Sequence, residues 1–157
     1  LVARMLQDPA YAESLGASDV PAQVHRLHRT LTGLRGADSR WQVPWPRWLG
    51  TPPWTVARAL SASRPHRVRL LRGRAGALAA VVAGARTGPV PVYVGSRWLP
   101  RHVLLAVGPA AGGATRDALL VHDPARGAVT AWLAADALAG RAPQGRWRHL
   151  WFAVLPG

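Results

Sequence analysis

Apolar residues recur at two different spacings along the chain, and the spacing changes near residue 62. In the first part the spacing is three to four residues, which is typical of an amphipathic helix, most clearly at Val24, Leu27, Leu31 and Leu34. Asp19 is placed to cap this helix. Two more helices are predicted over Leu1–Leu6 and over Pro52–Ala62, the second capped by Thr51. The Asp8-Pro9 pair disturbs or ends the first of these, since proline disfavours helical geometry in the residue before it.

Beyond residue 62, polar and apolar residues alternate in short runs, as they do in β-strands with one buried face. An Ala-rich stretch over Gly76–Arg86 predicts a helix that ends at Gly88. A helical turn is also predicted around Ala134–Ala139. The predicted strands are His66–Leu71, Val90–Val94, His102–Val107, Ala118–His122, Val129–Trp132 and Leu150–Leu155. Helices followed by a mostly antiparallel sheet predict an α+β fold. We expect one domain over 1–157, with a helical part at 1–62 and a sheet part at 63–157.

Composition narrows the class of protein. Hydrophobic residues make up 49% of the chain, which is enough to fill a core. No uncharged stretch approaches the roughly 20 apolar residues of a membrane-spanning helix. The net charge is +13, but all 20 basic residues are arginine and most are scattered, apart from a run at Arg64–Arg74. An Arg-only chain rich in Ala, Gly, Pro and Leu indicates compositional bias more than a phosphate-binding surface. Nucleic acid is therefore the weakest partner considered.

The chain contains no cysteine, which excludes disulfides, Cys-based zinc sites and a thiol nucleophile within these residues. This composition is compatible with a reducing compartment, and we expect a cytoplasmic protein. No capping residue precedes the apolar helix at Leu1, so we expect the N-terminus to be truncated. His25 and His28 share a helix face but have no third ligand nearby, and we expect neither a metal nor a cofactor.

His102 and Asp123 stand at the two ends of one predicted β-hairpin. Their strands flank the Gly112-Gly113 pair, a strong turn signal. A turn centred between these glycines places His102 opposite Asp123, with Cβ atoms roughly 5 Å apart. A bulge would shift this register by one residue, and Asp-Pro-x-x-Gly is also an ordinary turn sequence. An imidazole held by a carboxylate is the orienting half of a nucleophile–base–acid triad, and here the nucleophile is missing.

The segment Pro89–Gly127 resembles the papain-like cysteine peptidases that process bacteriocin leader peptides. In that family a strand opens with His followed by aliphatic residues, and the next strand ends in Asp-Pro-x-x-Gly. The corresponding residues here begin at His102 and at Asp123. The resemblance implies a papain-like fold, hydrolysis of a peptide or protein substrate, His102 as general base and Asp123 as its orienting partner. It also implies a cysteine at the start of the first long helix, which Leu1–Leu6 looks like continuing, so that the thiol would lie just before Leu1.

Two alternatives stand beside a peptidase: a non-catalytic peptide-binding module on the same fold, and a basic nucleic-acid-binding domain. Trp98 lies four residues before His102 in a predicted loop. We expect it either to shield the imidazole or to contact substrate. Four further tryptophans either line a groove for a peptide or sugar or fill the core: Trp41, Trp45, Trp48 and Trp54. The large area that tryptophan buries favours the core for most of the eight in the chain.

Overall fold

A computed structural model of the chain describes residues 1–16, 19–62, 64–72, 76–110, 118–133, 135–136 and 147–157. The helices are α1 (Val2–Gln7), α2 (Pro9–Glu13), α3 (Val20–Thr32), α4 (Pro53–Leu60) and α5 (Ala77–Ala85), with a short 3₁₀ helix at Arg47–Leu49. The strands are β1 (His66–Leu70), β2 (Val90–Gly95), β3 (Pro100–Pro109), β4 (Ala118–Asp123), β5 (Ala128–Leu133) and β6 (His149–Pro156). The predicted α+β fold is confirmed. The Gly112-Gly113 turn, and most of the helical turn predicted around Ala134–Ala139, lie outside the described residues.

The strands form one sheet in the order β1-β6-β2-β3-β4-β5, and every neighbouring pair is antiparallel. Because neighbours run in opposite directions, the C-termini of β1, β2 and β4 lie at the same end of the sheet as the N-termini of β3, β5 and β6. His102 lies near the start of β3. We call this end of the sheet the His102 end. No described helix is long and apolar enough to cross a membrane.

Helices pack on both faces of the sheet, which gives the core two layers. On one face, called the α5 face, Leu78 and Val81 of helix α5 pack with the strand residues Val92, Leu104 and Val121. On the other, called the α4 face, Leu60 of helix α4 packs with the strand residues Tyr93 and Val154. Tyr93 follows Val92 on β2, so the two faces alternate along the strand. Ala3 of α1 packs in the layer on the α4 face. The face on which a strand residue points therefore decides which helices it can meet.

Three helix starts differ from the sequence prediction. Asp8 ends α1 and also caps α2, because its carboxylate accepts a hydrogen bond from the Tyr11 N–H at 3.0 Å. Helix α2 was not predicted, because the Asp8-Pro9 pair was interpreted only as the end of α1. Asp-Pro is also a common helix start. Thr51 does not cap α4, because Pro52 occupies the N-cap position. The Thr51 hydroxyl instead forms a hydrogen bond of 3.2 Å with His28 Nδ1. Asp19 occupies the N-cap position of α3 but makes no capping hydrogen bond through its side chain.

The prediction that most tryptophans fill the core is wrong. Of the eight, all of them within the described residues, only Trp132 is fully buried, at 1% exposure. Four are exposed by 46% or more: Trp41, Trp48, Trp54 and Trp98. The loop after α3 is held by polar groups, since the Gln42 side-chain amide donates to the carbonyls of Thr30 and Gly33, each at 2.9 Å. Because these hydrogen bonds anchor the loop, its indole rings need not be buried.

Truncating the layer on the α5 face should cost far more stability than truncating an exposed leucine. Leu78 is 2% exposed and Leu6 of α1 is 55% exposed. Both lie in helices, so the change to alanine alters helix propensity equally. We expect Leu78→Ala to lower the free energy of unfolding by about 2–5 kcal/mol and Leu6→Ala by about 0.5 kcal/mol or less. Urea denaturation measures both, and equal losses would contradict the packing of α5 described above.

Candidate functional site

His102 and Asp123 meet near one end of the sheet. His102 Nε2 and Asp123 Oδ1 form a hydrogen bond of 2.7 Å. His102 is paired with Val94 across β2 and β3, and Val94 belongs to the layer under α5. Asp123 ends β4 two residues after Val121, which belongs to the same layer. By strand alternation both side chains therefore lie on the α5 face.

The predicted register of this hairpin is wrong by two residues, although the predicted contact forms. Leu105 pairs with His122, which brings Asp123 opposite Leu104 and leaves His102 diagonal to it. A shift of two residues keeps every side chain on its own face, because the alternation along a strand has a period of two. Diagonal neighbours remain within reach of long side chains. The contact was therefore predictable, whereas the pairing was not.

A bulge in β3 puts the imidazole and the carboxylate on one face. Nearer the turn, Gly108 pairs with Leu120, and beyond the bulge Ala106 pairs with Val121, so that Val107 is an extra residue on β3. If the register of Gly108 and Leu120 continued along both strands, the side chains of His102 and Asp123 would point to opposite faces of the sheet. The bulge thus determines whether the contact can form.

Asp123 is buried, with 4% of its surface exposed. Its Oδ1 also accepts a hydrogen bond from the Ala125 N–H at 3.0 Å, and Arg126 Nε lies 3.8 Å from Oδ2. Burial by itself raises the pKa of this carboxyl. The hydrogen bonds from His102 and Ala125 and the charge of Arg126 outweigh burial and hold the pKa of Asp123 below its usual range. The carboxyl group is therefore ionised near neutral pH.

The ionised carboxylate fixes the tautomer of His102. A carboxylate has no proton to donate, so Nε2 carries the hydrogen, and Nδ1 of the neutral ring is left as a proton acceptor. Within the described part of the chain, His102 Nδ1 makes no hydrogen bond, and 21% of the side chain is exposed. Such an imidazole can take up a proton at Nδ1 while Asp123 stabilises the resulting cation.

The turn that leads into His102 is held by hydrogen bonds on both sides. Ser96 Oγ accepts from the N–H groups of Trp98 and Leu99, each at 3.2 Å. The Ser96 carbonyl accepts from Trp151 Nε1 of β6 at 3.0 Å. A Cβ on Gly95 would overlap the Leu99 carbonyl, so only glycine fits there. The roles of Ser96 and Trp151 were not predicted, and the Gly-Ser dipeptide was the available turn signal.

Trp98 lies on the surface of this turn. Its ring is 70% exposed, and the Arg97 guanidinium lies over it, 4.2 Å from the ring centroid. A ring this exposed does not shield the imidazole by burial, and the contact with substrate stays a prediction.

The other histidines do not assemble a metal site within the described residues. His28 Nδ1 is already hydrogen-bonded to Thr51. His122 precedes Asp123 on β4 and so points to the α4 face. Its Nδ1 is buried and has no hydrogen-bond partner among the residues that the structure describes.

The opening helix lies on the face away from the pair. Ala3 of α1 packs on the α4 face with the cluster that contains Tyr93, whereas His102 and Asp123 lie on the α5 face. These contacts do not bring α1 to the imidazole. A thiol-bearing helix end beside His102 therefore stays a prediction.

The described part of the predicted arginine run Arg64–Arg74 extends along the edge strand β1. Arg64 donates to the carbonyl and hydroxyl of Thr87, at 3.1 and 2.9 Å, from the segment before β1. Arg72 follows β1 and lies over the Trp151 ring, 4.3 Å from its centroid. The five residues of β1 span roughly 17 Å of backbone between them, and Arg67 and Arg69 of that strand are exposed. Arg74 lies outside the described residues. Arg64 and Arg72 therefore make separate contacts at the two ends of a strand that carries two more exposed arginines.

Comparison with protein-family models and with curated proteins finds no match for the chain. The candidate site accordingly rests on the geometry of His102 and Asp123.

Replacing Asp123 by Asn should destabilise the fold near neutral pH and have less effect in acid. Because folding lowers the pKa of Asp123, its ionised form contributes stability above the pKa of the unfolded chain, and this contribution is lost as the pH falls through the lower folded pKa. We expect Asp123→Asn to lower the free energy of unfolding by about 1.5–3 kcal/mol at neutral pH. The difference from the native chain should shrink below about pH 4.

Denaturant titrations at neutral pH and at about pH 3 measure this difference. Asp19→Asn is the matched control, since the Asp19 side chain makes no capping hydrogen bond. A loss for Asp123→Asn that is the same at both pH values would contradict the ionised state of the carboxyl group.

Adding a methyl group at Gly95 should disrupt the turn before His102. The added Cβ would meet backbone atoms of Leu99 and Pro100, which cannot move aside as a side chain can. We expect Gly95→Ala to cost about 1–3 kcal/mol or more of stability. Gly88→Ala is the control, because its Cβ would meet nothing within 4 Å. Thermal denaturation compares the two, and a Gly95→Ala variant as stable as Gly88→Ala would contradict the tight turn.

Proposed function

We propose that the chain is the histidine–aspartate part of a papain-like cysteine peptidase domain, which acts on peptide bonds through a thiol that these 157 residues do not contain. The observation that carries the proposal is the 2.7 Å hydrogen bond from His102 Nε2 to Asp123, which leaves Nδ1 as a proton acceptor. The order of helices before an antiparallel sheet, and a hairpin that runs from His to Asp-Pro-x-x-Gly, support it.

In this proposal His102 is the general base and later the general acid. The thiol gives its proton to Nδ1, the thiolate attacks the peptide carbonyl, and the imidazolium returns the proton to the leaving amine. Asp123 stays ionised throughout and stabilises the imidazolium, because its pKa is held low by its own hydrogen bonds. The acyl-enzyme formed with the thiol is then hydrolysed by water.

A non-catalytic peptide-binding module on the same fold is the second candidate, and two observations favour it. The chain carries no thiol, and α1 packs on the α4 face, away from His102. In that case the His102–Asp123 hydrogen bond stabilises the hairpin and takes part in no reaction. Peptide binding would then be insensitive to replacement of His102.

The coding sequence upstream of Leu1 separates the two candidates. The peptidase proposal requires a cysteine, expected as Cys-Gly, within about one helical turn before Leu1. Ser, Ala or Gly in that place would leave the binding module.

In a chain extended through such a cysteine, His102→Ala should lower kcat/KM for peptide hydrolysis by about 10²–10⁴-fold, because the general base is lost. His25→Ala removes an exposed histidine of α3 and is the matched control. Alkylation of the thiol by iodoacetamide near neutral pH should also slow in His102→Ala, because less thiolate is present. Full hydrolysis and unchanged alkylation in His102→Ala would contradict the assigned role.

A further inference from the structure

Arginines are concentrated at the His102 end of the sheet. They are exposed and lie at or beside the strand ends there: Arg72 after β1, Arg97 between β2 and β3, Arg101 as the second residue of β3, Arg126 between β4 and β5, and Arg148 before β6. In the described segments that form this end, Asp123 is the single acidic residue. Such an excess of positive charge attracts an anionic ligand to this end.

Two of these arginines are ordered by tryptophans attached to one turn. The Arg97 guanidinium lies 4.2 Å from the Trp98 ring centroid, and that of Arg72 lies 4.3 Å from the Trp151 ring centroid. Trp151 is hydrogen-bonded to the carbonyl of Ser96 in the same turn. Stacking engages the face of a guanidinium group and not its in-plane N–H donors. Those donors match the two oxygens of a carboxylate.

The local acid does not neutralise this charge. Asp123 is buried and already holds His102 and the Ala125 N–H. Its contact with Arg126 is 3.8 Å long, and the Arg126 side chain is 63% exposed. One carboxylate with these partners leaves the excess positive charge at the surface.

We propose that the His102 end of the sheet binds peptides that carry Glu or Asp side chains, with Arg97 in the turn before β3 and Arg101 at the start of β3 supplying the charge that selects them. This inference rests on the proposed function and names its substrate class. A peptide is favoured over nucleic acid because these arginines stand at the same end of the sheet as a histidine–aspartate pair and extend from separate strands and turns. The exposed Arg67 and Arg69 of β1 lie between Arg64 and Arg72, so nucleic acid is the competing ligand in the test.

The native chain, which needs no thiol for binding, is the protein to test. The probe is a fluorescein-labelled hexapeptide of alternating Ala and Glu, compared by fluorescence anisotropy with the same peptide carrying Gln in place of Glu. We expect the acidic peptide to bind at least about tenfold more tightly, since each carboxylate accepts charge-assisted hydrogen bonds. Its affinity should also fall as salt rises from about 20 to 200 mM.

The double variant Arg97→Ala/Arg101→Ala should weaken binding of the acidic peptide by about tenfold or more. Arg67→Ala/Arg86→Ala removes the same charge from exposed residues at the opposite end of the sheet, at the start of β1 and the end of α5. This control should weaken binding less than about twofold, because its charges lie beyond the screening distance.

Equal weakening by both double variants, or equal affinity for the two peptides, would overturn the inference. So would a six-nucleotide single-stranded DNA that binds more tightly than the acidic peptide and loses binding in Arg97→Ala/Arg101→Ala. Hydrolysis by the extended chain without a preference for acidic peptides would contradict this inference and leave the peptidase proposal unaffected. Selective binding of acidic peptides by a protein with no upstream cysteine would support this inference and contradict the peptidase proposal.

Discussion

The hydrogen bond between His102 and Asp123 depends on one extra residue in β3. Val107 forms a bulge, and the bulge shifts the pairing of β3 with β4 by one residue. Without this shift, the Asp123 carboxylate and the imidazole would lie on opposite faces of the sheet. Burying the carboxylate without that partner costs several kcal/mol. The register of the hairpin and the functional pair therefore stabilise each other.

The same constraint explains how much of the site was predictable. The alternation of apolar residues identified β3 and β4, and a histidine and an aspartate near the ends of two neighbouring strands pointed to a contact. That pattern does not determine the position of a bulge, because the continuous apolar run Val103–Val107 presents apolar residues to both faces of the sheet in either register. The contact between His102 and Asp123 was predicted correctly although the predicted pairing was wrong. A register shift of two residues leaves each side chain on the same face of the sheet. The helix predicted over Gly76–Arg86 needed no such detail, and it forms as α5 over Ala77–Ala85.

Features that depend on the whole fold were not accessible from the sequence. Indole size favours burial, yet Trp41 and Trp48 stay exposed because Gln42 anchors their loop by hydrogen bonds. Arginines that are far apart in the chain, such as Arg72 and Arg148, lie at one end of the sheet only because its six strands alternate in direction. In the sequence these residues are scattered along the chain. In the antiparallel sheet they share one end with the histidine–aspartate pair, and this placement links the charge of the chain to its candidate chemistry.

A double-mutant cycle between His102→Ala and Asp123→Asn tests the central contact most directly. The free energies of unfolding of the native chain, both single variants and the double variant, measured near pH 7, give the coupling energy of the two side chains. The geometry predicts a coupling of at least about 1 kcal/mol, as expected for a hydrogen bond to a charged group. A coupling near zero would contradict the contact, and with it the hairpin register and the chemistry proposed for the pair.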